Sequence, residues 1–289
     1  MIARLLALCV IATLSLVPTV VAQEEEPEAA VEAAVEEFLA AVAARNINQL
    51  AARMHDPFVA IAGDMDILDR EGYLDRDVQA MPPGIDFDDP ELWIESGAAY
   101  ALVPVTFGGG QPGIPPGFSV HIAMFLLETD EPAWEVFAVT PIFELDSEAE
   151  GAGPFGEVLA QQGEALGTFM GELMEAGESG DPQVFFDLAH DDGVFAGPYG
   201  PQGGMVASSV TQIRGMLEGV DQGPTMDVDE ENADELMVGN VQTILIATTV
   251  DVTFPGQEPA PHREIAILNF DEAAGEWKML AGLEVPLEE

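Results

Sequence analysis

Hydrophobic positions along the chain follow two periods, helical and alternating, and the two succeed each other in the same order twice. Val31, Val35, Phe38, Leu39 and Val42 recur at helical spacing with Glu28, Glu32, Glu36 and Glu37 between them, which predicts an amphipathic helix. Asn46 ends it, and Ile47 to Met54 reads as a second, short helix. A strand follows, then a helix over Arg70 to Met81. Long apolar runs come next, Tyr100 to Phe107, Val120 to Leu127 and Trp134 to Phe143, separated by Gly- and Pro-rich stretches that suit antiparallel hairpins. Beyond the Gly/Ala/Glu/Pro stretch from Ser147 to Pro154 the order returns. Helices are predicted over Val158 to Met174 and Val184 to Leu188, the latter started by Asp181-Pro182, and a third over Met205 to Leu217. Strands then follow over Val241 to Phe254, Glu264 to Phe270 and Trp277 to Leu283.

Residues repeat as well as periods. Ile122 to Leu127 with Trp134 aligns without a gap to Ile265 to Phe270 with Trp277, and Val105-Thr106-Phe107 matches Val252-Thr253-Phe254. Met54-His55-Asp56 to Val59 matches Ala189-His190-Asp191 to Val194. Matches in one order along two stretches of similar length predict a duplicated unit. In Val120 to Leu127 both alternating sets are apolar apart from His121, so this strand needs cover on both faces. The unit's own helices cover one face, and the sister repeat is expected to cover the other, sheet against sheet, as an intramolecular pseudo-dimer.

Composition narrows the function. The 289 residues hold 8 Lys+Arg against 53 Asp+Glu, a formal net charge of -45, which excludes nucleic acid as a partner because phosphates need cations to neutralise them. With 48% hydrophobic residues the chain still has the means to bury a core. Arg4, the apolar run Leu5 to Leu16 and Val20-Val21-Ala22 read as a signal peptide over 1–22, giving a periplasmic or secreted location. An acidic linker is expected over 23–28, a first domain over 29–146, a linker over 147–155 and a second domain over 156–289. Cys9, the single cysteine, lies within the signal, so neither disulfides nor thiol chemistry is expected of the mature chain. No later stretch has the length and apolarity of a membrane span.

Two N-terminal helices, a strand, a third helix and a run of long antiparallel strands resemble the nuclear transport factor 2-like superfamily, which includes SnoaL-like cyclases and ketosteroid isomerases. The residues carrying the resemblance are Phe38 to Asn46 through His55 to Ile61, the corresponding Phe169 to Phe195, and the hairpin before each Trp. It implies an α+β fold of two tandem cone-shaped domains, each a curved antiparallel sheet wrapped on its N-terminal helices. It also implies conical pockets lined by Phe38, Val42 and Phe125 in the first half and Phe169, Leu173 and Leu268 in the second. The isomerases' aspartate base falls here at Ala62 and Gly197, and their tyrosine at Phe38 and Phe169, so both parts of that mechanism are missing twice. Asp64 and Asp66, just past the strand, are the nearest substitutes.

The four histidines pair across the repeats, His55 with His190 and His121 with His262, and are the candidates for pocket acid/base groups. The plainer alternative makes His55 and His190 turn residues beside an Asp, and His121 and His262 hydrogen-bonded strand residues. Asp64, Asp66, Asp69 and Glu71, like Asp86, Asp88 and Asp89, cluster acids without fitting a calcium loop, so no metal is expected. Gly108-Gly109-Gly110 is a hairpin tip, since no phosphate-loop Lys follows. No cofactor motif is found. The expected function is therefore a non-enzymatic module for a small apolar ligand or a protein partner, and the alternative is a SnoaL-like isomerase, cyclase or hydrolase using a pocket His with a nearby Asp.

Overall fold

The computed structural model describes residues 27–62, 65–80, 84–107, 118–130, 134–145, 156–198, 204–218, 223–228, 236–254 and 256–287. The expected signal peptide and the linker over 147–155 lie outside the described residues. The first helix, α1 (Pro27–Ala43), starts two residues inside the stretch expected to be a linker. Proline suits a first helical position, where its missing N–H would have no partner, and Glu28 in the first turn complements the helix dipole. One stripe of α1, from Val31 to Val42, is buried.

Helix α2 (Ile47–Ala51) is capped by Asn46, whose side chain accepts from Gln49 N, and it stops short of Met54, which opens strand β1 (Met54–Ile61). After β2 (Ile67–Leu68), Asp69 caps a helix α3 built of Arg70–Gly72, a π-helical Tyr73–Asp77 and Val78–Ala80. Then come β3 (Ile85–Phe87), β4 (Glu91–Glu95), β5 (Ala98–Phe107), β6 (Phe118–Glu128) and β7 (Trp134–Leu145). The second half runs α4 (Gly156–Ser179), α5 (Pro182–Leu188), β8 (Ala189–Gly197), β9 (Val206–Ser209) and α6 (Val210–Met216). It ends with β10 (Thr225–Val228), β11 (Leu236–Val241), β12 (Thr243–Thr253), β13 (Ala260–Asp271) and β14 (Glu276–Pro286).

Two sequence expectations change here. The helix over Met205 to Leu217 begins as strand β9, because the Ser209 side chain with Gln212 forms a capping box that starts α6 only at Val210. The strand over Val241 to Phe254 is two strands, broken where Gln242 takes φ 60° and turns the chain back on itself.

The strand connectivity of the first half is repeated in the second. Order β5-β6-β7-β1-β2, with β3 and β4 on the free side of β5, matches order β12-β13-β14-β8-β9, with β10 and β11 on β12. In each half the first strand runs parallel to the last and the other pairings are antiparallel. Even the bulges coincide, at Phe125/Leu126 and at Ile267/Leu268.

Three buried clusters hold the molecule. Val35, Phe38, Val42, Tyr73, Met124 and Leu126 fill the space between helices and sheet in the first half, and Phe169, Phe186, Leu268, Trp277 and Met279 do so in the second. The third cluster lies on the other face of both sheets and mixes the halves: Phe125, Leu127 and Phe137 pack with Leu245, Ile265 and Leu280. At the sheet edges the contacts are reciprocal. Val241 of β11 pairs with Phe143 of β7, while Ser96, beside β4, donates from Oγ to the Pro286 carbonyl at the end of β14 at 3.4 Å.

Candidate functional site

Which residues of the two halves correspond is fixed by the strand registers rather than by a constant sequence offset. Glu128 pairs with Trp134, whereas Phe270 pairs with Trp277, so the second hairpin encloses one residue more. Across it the alignment slips by one, which in a strand exchanges the faces. The structural counterparts are therefore Met124 and Ala266, Ile122 and Glu264, and Val120 and His262. On the neighbouring strands Val139 answers to Gly282 and Pro141 to Glu284.

These exchanges accompany a cavity in the second half, where the corresponding described residues of the first are buried in its core. In the first half Tyr73, four residues past its cap Asp69, sits between the rings of Phe38 and Phe58 at 6.4 and 5.5 Å. The residue four past cap Ser209 is Ile213, a smaller side chain. Met124 becomes Ala266. A paired exchange accompanies them: Ala60 opposite Val139 becomes Phe195 opposite Gly282. Phe195 needs that glycine, since a Cβ there would meet its Cε1 at 2.9 Å. The result is a cavity of about 500 Å³ between the helices and the sheet of the second half, bordered by Leu173, Phe185, Phe195, Ile213, Met226 and Phe254. Met216, 56% exposed, marks where it meets solvent.

Two carboxyls stand in the sheet wall of this apolar space. Glu264 on β13 and Glu284 on β14 are register partners, and both line the cavity. His262, two residues before Glu264 on the same face, is buried behind them and donates from Nδ1 to Glu284 Oε1 at 3.0 Å, with Phe254 against its ring. Glu264 borders the cavity, and its Oε1 is shut off from solvent and has no hydrogen-bond partner among the described residues. Burial, and after it the charge of Glu284, holds the Glu264 carboxyl well above the usual carboxylate range. The arrangement is a carboxyl biased toward its protonated form in the wall of an apolar cavity, opposite a second carboxyl held by a histidine. Ligand atoms of His262, Glu264 and Glu284 lie within 4.8 Å of one another, so these three residues are also the ones able to hold a cation.

The sequence-predicted site residues separate accordingly. His262 belongs to the site, though it supports the acids rather than lining the cavity, and the acid beside it is a Glu, not an Asp. His121 shares a face with Ala123 and Phe125, the face turned to the other half, where its Nε2 lies 3.7 Å from Glu144. The one-residue slip thus dissolves the pairing of His121 with His262. His55 and His190 stay with their own backbone, the first near the Pro57 carbonyl and the second accepting from Asp192 N. Asp66 pairs with Arg76 and Asp69 caps α3, while Asp64 lies outside the described residues.

Of the expected pocket residues, Leu173 borders the cavity. Phe38 and Val42 lie in the closed core of the first half, Phe125 in the core shared by the sheets, and Phe169 and Leu268 in the packed core of the second half. Phe125 and Leu268 part company for the same reason as the histidines. Sequence reasoning missed Glu264 and Glu284. The signal was present: Glu264 stands directly before the apolar run Ile265-Ala266-Ile267-Leu268, and Glu284 between Leu283 and Val285.

No family model matches the chain, and no curated protein does. Among solved structures it is similar to nuclear transport factor 2-like proteins. One from Cytophaga hutchinsonii has 13% identity and a TM-score of 0.34 over 40% of this chain and 97% of its own. One of unknown function from Shewanella baltica has 10% and 0.32 over 45% and 97%. A conserved protein from Planctomyces limnophilus has 21% and 0.33 over 43% and 97%. Each likeness spans less than half of this chain and nearly all of the neighbour.

Proposed function

We propose that the protein is an exported binding module that holds one small, largely apolar molecule in the cone of its second half, with the first half as a closed structural partner. The observation carrying this is the contrast between equivalent positions. Where the first half has Tyr73, Met124, Ile122 and Pro141 and a filled core, the second has Ile213, Ala266, Glu264 and Glu284 around a cavity. A concave apolar space with a few convergent polar groups is what small-molecule recognition requires. The reciprocal edge contacts and the shared core support the reading of the halves as an intramolecular pseudo-dimer, an isologous arrangement within one chain. Export rests on Arg4, the apolar run Leu5 to Leu16 and the small-residue site Val20-Val21-Ala22.

Native mass spectrometry of the protein purified from its own source tests the whole reading. The expected spectrum shows a chain cleaved after Ala22 and carrying one apolar molecule, released on denaturation. A chain that keeps residues 1–22, or that remains empty against a panel of lipids and steroids, overturns the corresponding part.

A second reading, a proton-transfer enzyme, is favoured by one observation: Glu264 and Glu284 stand opposite each other in the cavity wall, with His262 hydrogen-bonded to Glu284 and burial favouring the protonated form of Glu264. Under it a bound molecule would be isomerised or hydrated, and Glu264→Gln would abolish turnover while leaving binding intact. An unchanged molecule recovered after long incubation refutes it.

A further inference from the structure

We infer that the ligand of the second-half cavity carries a protonated amine, seated on the Glu264–Glu284 pair, with its apolar body against Phe185, Phe195 and Phe254. This rests on the proposed binding function and adds the chemical class. The charged residues bordering the cavity among the described residues are Asp181, Glu264 and Glu284, all acids, and no basic side chain lines it. The surrounding chain carries 53 Asp+Glu against 8 Lys+Arg, so its field draws cations toward the opening and repels carboxylates. Oε1 of Glu264 has no hydrogen-bond partner among the described residues, so its carboxyl, which stands in the cavity wall, has acceptor capacity that a ligand N–H can use once the side chain turns toward it. An ammonium brings up to three donors, enough to reach both carboxyls at once.

The cavity's size decides against a bare metal ion as the occupant. A cation would use the cluster of His262, Glu264 and Glu284 and leave about 500 Å³ of apolar space without purpose. An amine with an apolar body uses both. Phenyl faces bordering the same space add attraction for an organic cation. The titratable groups around Glu264 are His262 on its own strand, Glu284 on β14 and Asp181 at the start of α5.

Isothermal titration of the full chain with octylamine, octanol and octanoate tests the inference, because the three share one body and differ in charge. Octylamine is expected to bind one-to-one, at least about tenfold tighter than octanol, with octanoate weakest. Glu264→Gln and Glu284→Gln should each remove about tenfold of octylamine affinity and leave octanol near its original value. Octanol binding as tightly as octylamine would overturn the amine assignment while leaving the apolar-ligand reading in place. No binding of any of the three would overturn both. Zinc or manganese binding one-to-one, lost in both Gln variants and unaccompanied by octylamine binding, would reassign the acids to a metal. The comparison of the three ligands on the unaltered chain keeps the test decisive if a variant fails to fold.

Discussion

Glu264→Gln replaces a carboxyl by an amide of the same shape and removes one titrating proton from the cavity wall. Burial first, and Glu284 second, raise the Glu264 carboxyl well above its ordinary value of 4.5. The folded chain therefore keeps a proton at this position that the unfolded chain has released. With more protons bound in the folded state, the contribution of this group to stability is complete below pH 4.5 and declines as pH rises, until pH passes the folded value. The slope for one proton is about 1.4 kcal/mol per pH unit. Acids away from this site contribute equally to both proteins, so the stability of the wild type minus that of the variant isolates Glu264 together with its coupling to Glu284. Urea unfolding of both, in half-unit steps from about pH 5 to about pH 8, gives that difference directly. It should fall toward the one-proton slope and then level off. A difference that stays flat, or that rises with pH, would mean that Glu264 is ionised in the folded chain and that the protonated-acid account of the site is wrong.

The closed and open cones predict unequal costs for similar truncations. Phe38→Ala in the filled core of the first half should lower stability by about 3–5 kcal/mol, whereas Leu173→Ala, at the border of space that is already open, should cost about 1 kcal/mol; thermal unfolding reads both. Gly282→Ala should cost about 1–3 kcal/mol by driving a methyl into Phe195, and less in a Phe195→Ala background; equal costs in the two backgrounds would refute the paired exchange. Residues 27–145 expressed alone would expose Phe125, Leu127 and Phe137, so sedimentation should find dimers or aggregates, and a soluble monomer would show that the shared core is not needed.

Much of the fold could be read in the chain because alternation and helical period are local properties. Val31 to Val42 declared its buried stripe, and the double-sided apolarity of Val120 to Leu127 called for cover from a second sheet, which the shared core of Phe125 and Ile265 provides. Trp134 and Trp277 do occupy equivalent places, each against the helices of its own half. What failed was parity. One extra residue in the second hairpin is invisible to a gapless match of Ile122 to Leu127 with Ile265 to Phe270, yet it turns His121 to the shared core and His262 to the cone. The acids were hidden for a different reason. Among 53 Asp+Glu a single Glu carries little weight, and only the pairing of β13 with β14 puts Glu264 opposite Glu284. The cavity itself depends on differences in side-chain size at positions that only the registers identify, such as Met124 and Ala266.

The duplication also explains how so unfavourable a pair is tolerated. Two neighbouring carboxyls in an apolar wall, one with an oxygen that has no hydrogen-bond partner among the described residues, weaken the half that contains them, and the cavity beside them removes packing as well. A free-standing cone would bear both losses alone. Here the second sheet is fastened on its far face to a partner whose own cone is filled to the centre by Phe38, Tyr73 and Met124, and the shared core of Phe137, Leu245 and Ile265 transmits that stability across. The register counterparts Ile122 and Pro141 carry no charge, so one copy of the unit is specialised for packing and the other for an acidic site. If the proposed binding function holds, the core shared by the two halves is a condition for the site: loosening it should open the cavity of the second half before it disturbs the buried core of the first.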